Sequence, residues 1–241
     1  MSQKKIFEAS PESKAKAKQL RLFAILSWLI AMAGQVFAIL KLIHDETLVW
    51  LIVAIVVILA LAITGSLLWK KANKLDPASE QQKVKFFIQN QLGAIMGVLA
   101  FLPLVIFIFM NKDASKKTKG VAGSIAVVAL LVAGIVGIEF DPASIEKYTE
   151  QINQQTDLVE QLNNGNNHVY WTPSGNKLHL YDDCHTIKNS NVSDGTVKQA
   201  WEARGIDNNE VCQFCMNRSA KEKELNLDEI LDNVSSDIIE E

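Results

Sequence analysis

Four long stretches without a charged residue or histidine dominate residues 22–138 of this chain: 22–40, 48–69, 86–110 and 121–138. A helix needs about 20 apolar residues to cross the hydrocarbon core of a bilayer. Continuous apolar runs also differ from the alternating pattern of membrane barrel strands. The sequence therefore predicts an all-α bundle of four transmembrane helices over 22–138, in contact with the lipid bilayer.

The residues within the four apolar runs indicate whether segment 22–138 could include a cleaved signal or form an ion path. The first run continues to Leu40, which is too long for the core of a cleavable signal, so we expect an uncleaved anchor. Ionisable side chains would mark an ion or proton path, and the runs contain none. The most polar segment, Gln-Asn-Gln at 89–91, is predicted to lie at the interface or bond a neighbouring helix. Small residues at four-residue spacing predict close helix packing, at Gly93, Gly97, Ala129, Ala133 and Gly137.

Basic residues in the flanking segments predict the orientation, because Lys and Arg concentrate on the cytoplasmic side. Segment 1–21 carries six, the linker between the second and third runs carries five, and the first loop carries one. The third loop opposes this trend with four lysines. We predict a plasma-membrane protein with a cytoplasmic basic arm at 1–21 and with both termini in the cytoplasm.

The tetrapeptide Asp-Pro-Ala-Ser follows the second run at 76–79 and the fourth run at 141–144. Asp followed by Pro is typical of a helix start, because the carboxylate caps free N–H groups and proline fits the first turn. The repetition therefore predicts two helix starts on one face of the bundle, the cytoplasmic one.

Residues 139–167 are predicted to be an amphipathic connector that ends in an asparagine-rich linker at 163–167. Its apolar residues form one helical stripe that Gln155 interrupts: Ile145, Tyr148, Ile152, Val159 and Leu162. Such a stripe predicts pairing with a second copy or a position at the membrane surface.

Segment 219–241 is predicted to be a solvated acidic tail. From Lys221 onward it has eight acidic residues against two lysines, the last acids being Asp237, Glu240 and Glu241. Within it, a short helix is predicted around Leu227, Ile230, Leu231 and Val234.

Residues 168–218 predict a small α+β domain that contains all three cysteines. Two β-prone runs, 168–172 and 177–181, flank a Pro-Ser-Gly-Asn turn and predict a β-hairpin. A short helix is predicted from Thr196 to Arg204, with Val197, Ala200 and Trp201 on one face and Gly205 ending it. The Cys-Gln-Phe-Cys sequence at 212–215 predicts a knuckle. A domain this small needs more than its core for stability, and a structural metal would supply it.

The cysteine spacing predicts a Zn²⁺ site, because zinc favours four tetrahedral thiolate and imidazole ligands. Cys212 and Cys215 have the two-residue spacing that lets one turn present both sulfurs, and Cys184 is the third ligand. The fourth ligand is predicted among three histidines, in order of preference His179, His185 and His168. His185 ranks below His179 because it adjoins Cys184, and neighbouring side chains usually point apart. A redox-active Cys-x-x-Cys pair and three plain buried cysteines remain alternatives.

Part of this domain resembles the small Ada-type metal-binding domains that are appended to other modules in bacterial proteins. The likeness covers 168–218 and is carried by 169–175, Leu178, His179, Cys184, Ala200, Cys212 and Cys215. It implies a zinc site and contact with DNA in some members, whereas histidine at the first ligand position argues against methyl transfer. The membrane half resembles an uncharacterised family of bacterial multi-pass membrane proteins through 69–73 and 86–93.

The sequence predicts a membrane-anchored zinc module for recognition or scaffolding of a protein partner at the cytoplasmic membrane face. No catalytic residues are predicted. Two alternatives stay open: a small transporter or channel with a regulatory metal domain, and a membrane-tethered metal-dependent hydrolase or thiol redox protein. Nucleic acid is weakly supported as a partner because basic residues are few around the cysteines. A homo-oligomer through helix packing or the connector is a further expectation.

Overall fold

The computed structural model describes residues 6–204 and 210–236. The chain is mostly helical and divides into two compact units. The helical unit comprises residues 15–73 and 81–142. The cysteine unit comprises the described residues of three separate segments, 6–14, 74–80 and 143–236.

Four long helices account for most of the helical unit: α1 (Pro11–Lys41), α2 (Leu48–Leu75), α3 (Lys83–Met110) and α4 (Lys116–Gly137). Among the described residues, these are the helices long and apolar enough to cross a membrane, so the prediction of four such helices is confirmed. Most of them begin or end beyond their charge-free runs, because the flanking Lys, Gln and Ala residues are good helix formers. α1 starts within the predicted basic arm, where the Ser10 hydroxyl accepts from the Ser13 N–H and proline fills the first helical position.

The predicted small-residue stripes of α3 and α4 meet each other. A Cβ on Gly97 would lie 2.8 Å from the carbonyl oxygen of Ala133, and a Cβ on Gly93 would lie 2.9 Å from that of Gly137. These distances are shorter than real Cβ contacts allow, so only glycine permits such an approach. Close helix packing at these residues is therefore confirmed.

Polar contacts join the helix ends within the helical unit. Between the α1–α2 and α3–α4 loops, the Asp45 carboxylate accepts from the Ser115 N–H (3.0 Å) and from the Thr118 hydroxyl (2.6 Å). These bonds satisfy N–H and hydroxyl groups at the start of α4, where four backbone donors lack helical partners. At the end of α4, the Lys70 ammonium donates to the Ile138 carbonyl at 2.6 Å.

The polar segment 89–91 bonds a neighbouring helix, which was one of its two predicted roles. The Gln89 carbonyl accepts from the Trp69 indole N–H and from the Asn73 amide, each at 2.7 Å. Asn90 is buried, and its amide donates to the Phe86 carbonyl at 3.0 Å. The segment thus ties the start of α3 to the last part of α2.

The cysteine unit combines four helices with four short strands. The helices are α5 (Ile145–Leu162), α6 (Val197–Arg204), α7 (Gln213–Glu222) and α8 (Leu227–Ser236). The strands are β1 (Val169–Trp171), β2 (Lys177–Leu178), β3 (Ser193–Gly195) and β4 (Glu210–Val211). β1 pairs antiparallel with β3, and β2 pairs parallel with β4.

The predicted β-hairpin is reduced to a single bridge. Tyr170 and His179 exchange two backbone hydrogen bonds, of 2.7 and 2.8 Å, but the second run forms a strand only over β2. The main partner of β1 is β3, whose Ser-Asp-Gly sequence has no β-prone character and was not predicted. A hydrogen-bond ladder to β1 therefore overrides weak local propensity in that segment.

α6 follows its prediction closely. Thr196 caps it, because its hydroxyl accepts from the Gln199 N–H and the Gln199 side chain accepts in return from the Thr196 N–H. Val197, Ala200 and Trp201 are buried on one face, as predicted. The predicted stop at Gly205 lies outside the described residues.

The connector packs inside the cysteine unit. Tyr148, Ile152, Val159 and Leu162 of α5 are fully buried in the core of this unit. The interrupting Gln155 accepts from the Trp201 indole N–H at 2.8 Å, so it too faces inward. The unit's own core therefore covers the stripe from Tyr148 to Leu162.

The two Asp-Pro-Ala-Ser segments meet through their Ala-Ser residues, which lie in the cysteine unit. Ala78 forms a parallel bridge with Ser144, and the Ile145 N–H donates to the Ala78 carbonyl at 3.2 Å. The predicted capping by aspartate is wrong. Ser144 caps α5 by accepting from the Lys147 N–H, and α3 starts only at Lys83. The tetrapeptides form a paired turn structure, which leaves their aspartates outside the cap position.

The tail is only partly as predicted. α8 forms where a short helix was expected, but Leu227, Ile230, Leu231 and Val234 pack against the core of the cysteine unit. This stretch is therefore not simply solvated, because its apolar face has a packing partner. The predicted tail acids Asp237, Glu240 and Glu241 lie outside the described residues.

Candidate metal centre

The pairing of β2 with β4 places two of the predicted ligands next to each other. Leu178 is in register with Val211, and the Cys212 N–H donates to the Leu178 carbonyl at 2.8 Å. His179 and Cys212 each come directly after these paired residues. Neighbouring strands lie about 4.8 Å apart, so the following side chains start close together.

The other two ligands come from a turn and from the start of a helix. Cys184 opens a turn in which its carbonyl accepts from the N–H groups of Ile187 (2.9 Å) and Lys188 (3.0 Å). Cys215 lies in the first turn of α7, three residues after Cys212, which occupies the N-cap position. One helical turn therefore carries both sulfurs of the Cys-x-x-Cys motif to the same place.

Four side chains converge at this point: His179, Cys184, Cys212 and Cys215. Their ligand atoms all lie within 4.8 Å of one another, and the Cys215 Sγ is 3.8 Å from the His179 Nδ1. All four residues are buried, at 2% to 6% exposure. These residues lie close enough to bind one metal ion.

The surroundings shift the pKa values of these side chains in different directions. Burial raises the pKa of the Cys215 thiol to about 12. Burial also acts against ionisation of Cys184, but hydrogen bonds with Thr186, Cys215 and Cys212 together outweigh it and lower the pKa of that thiol. Burial, with the charges of Arg204 and His185, lowers the pKa of His179 and keeps it neutral, the form that binds metals.

Two supporting residues were not anticipated from the sequence. The Thr186 hydroxyl lies 3.2 Å from the Cys184 Sγ and orients that sulfur. Arg204 is buried and donates to the Gly175 carbonyl in the turn before β2, and burial lowers its pKa to about 10. The only local signal for Thr186 is its place two residues after a cysteine, and Arg204 gives none because its contact spans 29 residues.

The other two candidate histidines, His185 and His168, lie outside the group of four. His185 is exposed, and its ring stands edge-on to Phe214 with 4.4 Å between ring centroids. His168 lies 3.5 Å from the Asp194 carboxylate and against the Tyr170 ring. Neither belongs to the group of four. His179, the first choice among the three histidines, is therefore the one that lies with the three cysteines.

The position of Cys-x-x-Cys at the start of α7 bears on redox chemistry. A helix N-terminus lowers the pKa of a thiol and favours a reactive thiolate. Cys215 shows the opposite, since burial raises its pKa. α7 was not predicted from the sequence, although Cys215, Met216, Ser219 and Ala220 form its buried face at helical spacing. The arrangement fits a metal ligand better than a redox nucleophile.

No family model, no curated protein and no solved structure matches this chain. The likeness to Ada-type metal-binding domains stays a prediction. The functional argument rests on the geometry of the four converging residues.

Proposed function

We propose that this protein is a membrane-anchored module in which the cysteine unit holds one structural zinc ion. In this proposal the metal fixes a surface for recognition or scaffolding of a protein partner at the cytoplasmic face of the plasma membrane. The observation that carries it is the convergence of four buried ligand atoms within 4.8 Å of one another.

The donor set supports zinc over other metals. Three thiolates and one imidazole are typical of structural zinc, whereas calcium and magnesium prefer oxygen ligands. With Zn–S bonds of about 2.3 Å, tetrahedral geometry separates ligand atoms by about 3.8 Å. The His179–Cys215 distance already has this value, and the other ligand atoms lie within 4.8 Å of one another. Four protein ligands would close the coordination shell, which favours a structural ion over a catalytic one.

The division of the chain into two units supports a common side of the membrane for the three segments of the cysteine unit. Residues 6–14 precede the body of the first candidate span, 74–80 follow the second, and 143–236 follow the fourth, yet they form one compact unit. Four crossings put all of them on the same side of the membrane. The excess of lysine and arginine in 1–21 and in the α2–α3 linker favours the cytoplasmic side.

The basic residues near the cysteines favour a protein partner over nucleic acid. Arg218 forms ion pairs with Asp183 (2.7 Å) and Glu222 (2.9 Å), and Lys198 lies 3.5 Å from Glu202. Arg204 is buried. Nucleic-acid binding needs free cationic side chains aimed at phosphates, so these contacts weaken that alternative.

The test is the metal content of the full-length protein, purified in detergent without added metal or chelator. We expect one zinc ion per chain, retained in His168→Ala and lost in His179→Ala and Cys215→Ser. His168→Ala is the matched control because this histidine lies in the same unit outside the group of four. Folded wild-type protein without bound metal would refute the zinc proposal.

X-ray absorption spectroscopy separates the structural role from the hydrolase alternative. A structural site gives three sulfur ligands and one nitrogen ligand. A hydrolytic site gives a water oxygen in place of one protein ligand. An oxygen ligand at the zinc would shift the conclusion to metal-dependent catalysis.

A further inference from the structure

A pocket of about 350 Å³ opens beside the four converging residues. Cys184 and Cys215 form part of its wall, and the exposed residues His185 and Phe214 stand at its rim. The buried sulfurs are thus reached from solvent through a space large enough for a hydrated cation. Because all four candidate ligands are buried, an incoming ion needs such a path.

His185 is placed to bind a metal ion on this path. It directly follows Cys184, and its ring stands edge-on to Phe214 at the rim of the pocket. Neutral imidazole is the commonest metal ligand among side chains. An ion held by His185 would lie next to the first buried sulfur without yet contacting His179 or Cys212, which do not line the pocket.

The charged residues of the pocket are engaged with each other. Arg218 bonds Asp183 at 2.7 Å, and its guanidinium carbon lies 4.0 Å from the centroid of the Tyr181 ring. The Asp183 carboxylate is therefore neutralised by its partner and is a poor ligand for a cation. Among the side chains that line this pocket, His185 is therefore the metal ligand that an incoming ion can meet first.

We propose that this pocket is the entry path for the zinc ion and that His185 is its transient first ligand. This inference rests on the proposed zinc site. The ion exchanges water for the His185 imidazole, then binds Cys184 and passes to the group of four. The thiol protons are released to solvent as the sulfurs bind. His185 then leaves the ion, so it accelerates both entry and exit without changing the final site.

The experiment measures the rates of Co²⁺ binding and release by full-length, metal-free protein in detergent, followed by the thiolate-to-cobalt absorption. His185→Phe keeps an aromatic ring against Phe214 but removes both nitrogens. We expect both rates to fall several-fold in this variant, with unchanged affinity and an unchanged final spectrum. His168→Phe, which changes a histidine outside the pocket, should leave both rates as in wild type.

Three results would overturn the inference. Unchanged rates in His185→Phe would show that His185 takes no part in entry. Faster rates in His185→Ala would make the residue a lid, not a ligand. A changed cobalt spectrum would make it a resident ligand. Failure of the wild-type protein to bind Co²⁺ or Zn²⁺ at all would instead refute the underlying zinc site.

Discussion

Phe7 anchors the N-terminal segment in the core of the cysteine unit. Its side chain is 2% exposed, and its ring meets the edge of the Tyr148 ring with centroids 5.0 Å apart. Its backbone N–H donates to the Thr149 hydroxyl at 3.0 Å. One residue near the start of the chain thus completes a core built mainly from residues after α4.

We expect Phe7→Ala to destabilise the cysteine unit by about 3 kcal/mol, the low end for loss of a buried phenylalanine. The readout is the temperature at which the full-length protein releases its bound metal, which reports on this unit. Ile6→Ala is the matched control, because Ile6 is 66% exposed and should leave this temperature unchanged. Equal effects of the two substitutions would contradict the anchoring role of Phe7.

Among single residues, the candidate metal ligands could be predicted from the sequence, whereas the residues that support the cysteine unit could not. Cysteine chemistry and the two-residue spacing pointed to Cys184, Cys212 and Cys215 because few residue types bind soft metals. The choice of His179 followed from side-chain directions along an extended chain. Phe7 and Arg204 were not predicted, because their contact partners are distant in sequence and leave no local pattern.

α3 and α4 pack closely against each other within the helical unit. At Gly97, an added Cβ would meet the backbone carbonyl of Ala133, which cannot move without displacing α4. At Gly134, on α4, an added Cβ meets nothing within 4 Å. Two glycines with the same chemistry therefore have opposite tolerance for a methyl group.

We expect Gly97→Ala to destabilise the helical unit by about 2 kcal/mol through overpacking. Gly134→Ala should be neutral or stabilising by up to about 1 kcal/mol, because alanine is the better helix former. Thermal unfolding in detergent, followed by circular dichroism, compares the two variants with wild type. A loss of stability in Gly134→Ala equal to that in Gly97→Ala would contradict the packing described here.

Elements with strong local patterns were predictable, and those defined by partners were not. The four long helices followed from apolar runs, and α6 followed from a one-sided apolar pattern that ends at Gly205. β3 has three residues and pairs with β1, and β4 has two residues and pairs with β2. Strands this short have no sequence periodicity from which they could be predicted. α5 showed its apolar stripe, but the stripe alone did not reveal that its partner is the chain's own core.

The composition of the cysteine unit constrains the path of the whole chain. It draws residues from before α2, from between α2 and α3, and from after α4. Within the helical unit, Asp45 contacts Ser115, so the α1–α2 and α3–α4 loops also meet. Under the proposed topology, in which all four long helices cross the membrane, these two sets of segments lie on opposite sides.

We expect a membrane-impermeant maleimide to label Glu12→Cys and Ser190→Cys from one side of sealed vesicles, and Glu46→Cys and Asp113→Cys from the other. All four positions are exposed, and the native cysteines are buried and should react little. Under the proposed orientation the first pair is cytoplasmic. Labelling of Glu12→Cys and Ser190→Cys from different sides would contradict a shared compartment.

The wide separation of the contacts in the cysteine unit also has a consequence for biosynthesis. Phe7 and Thr149 are 142 residues apart, and Ser13 and Glu202 are 189 residues apart. At translation rates of about 5–20 residues per second, the N-terminal segment waits roughly 10–40 s for its last partner to be synthesised. All three cysteines follow α4, so the ribosome has made the four long helices before any thiolate ligand exists. If the cysteine unit binds zinc as proposed, metal loading is therefore a late step in the maturation of this protein.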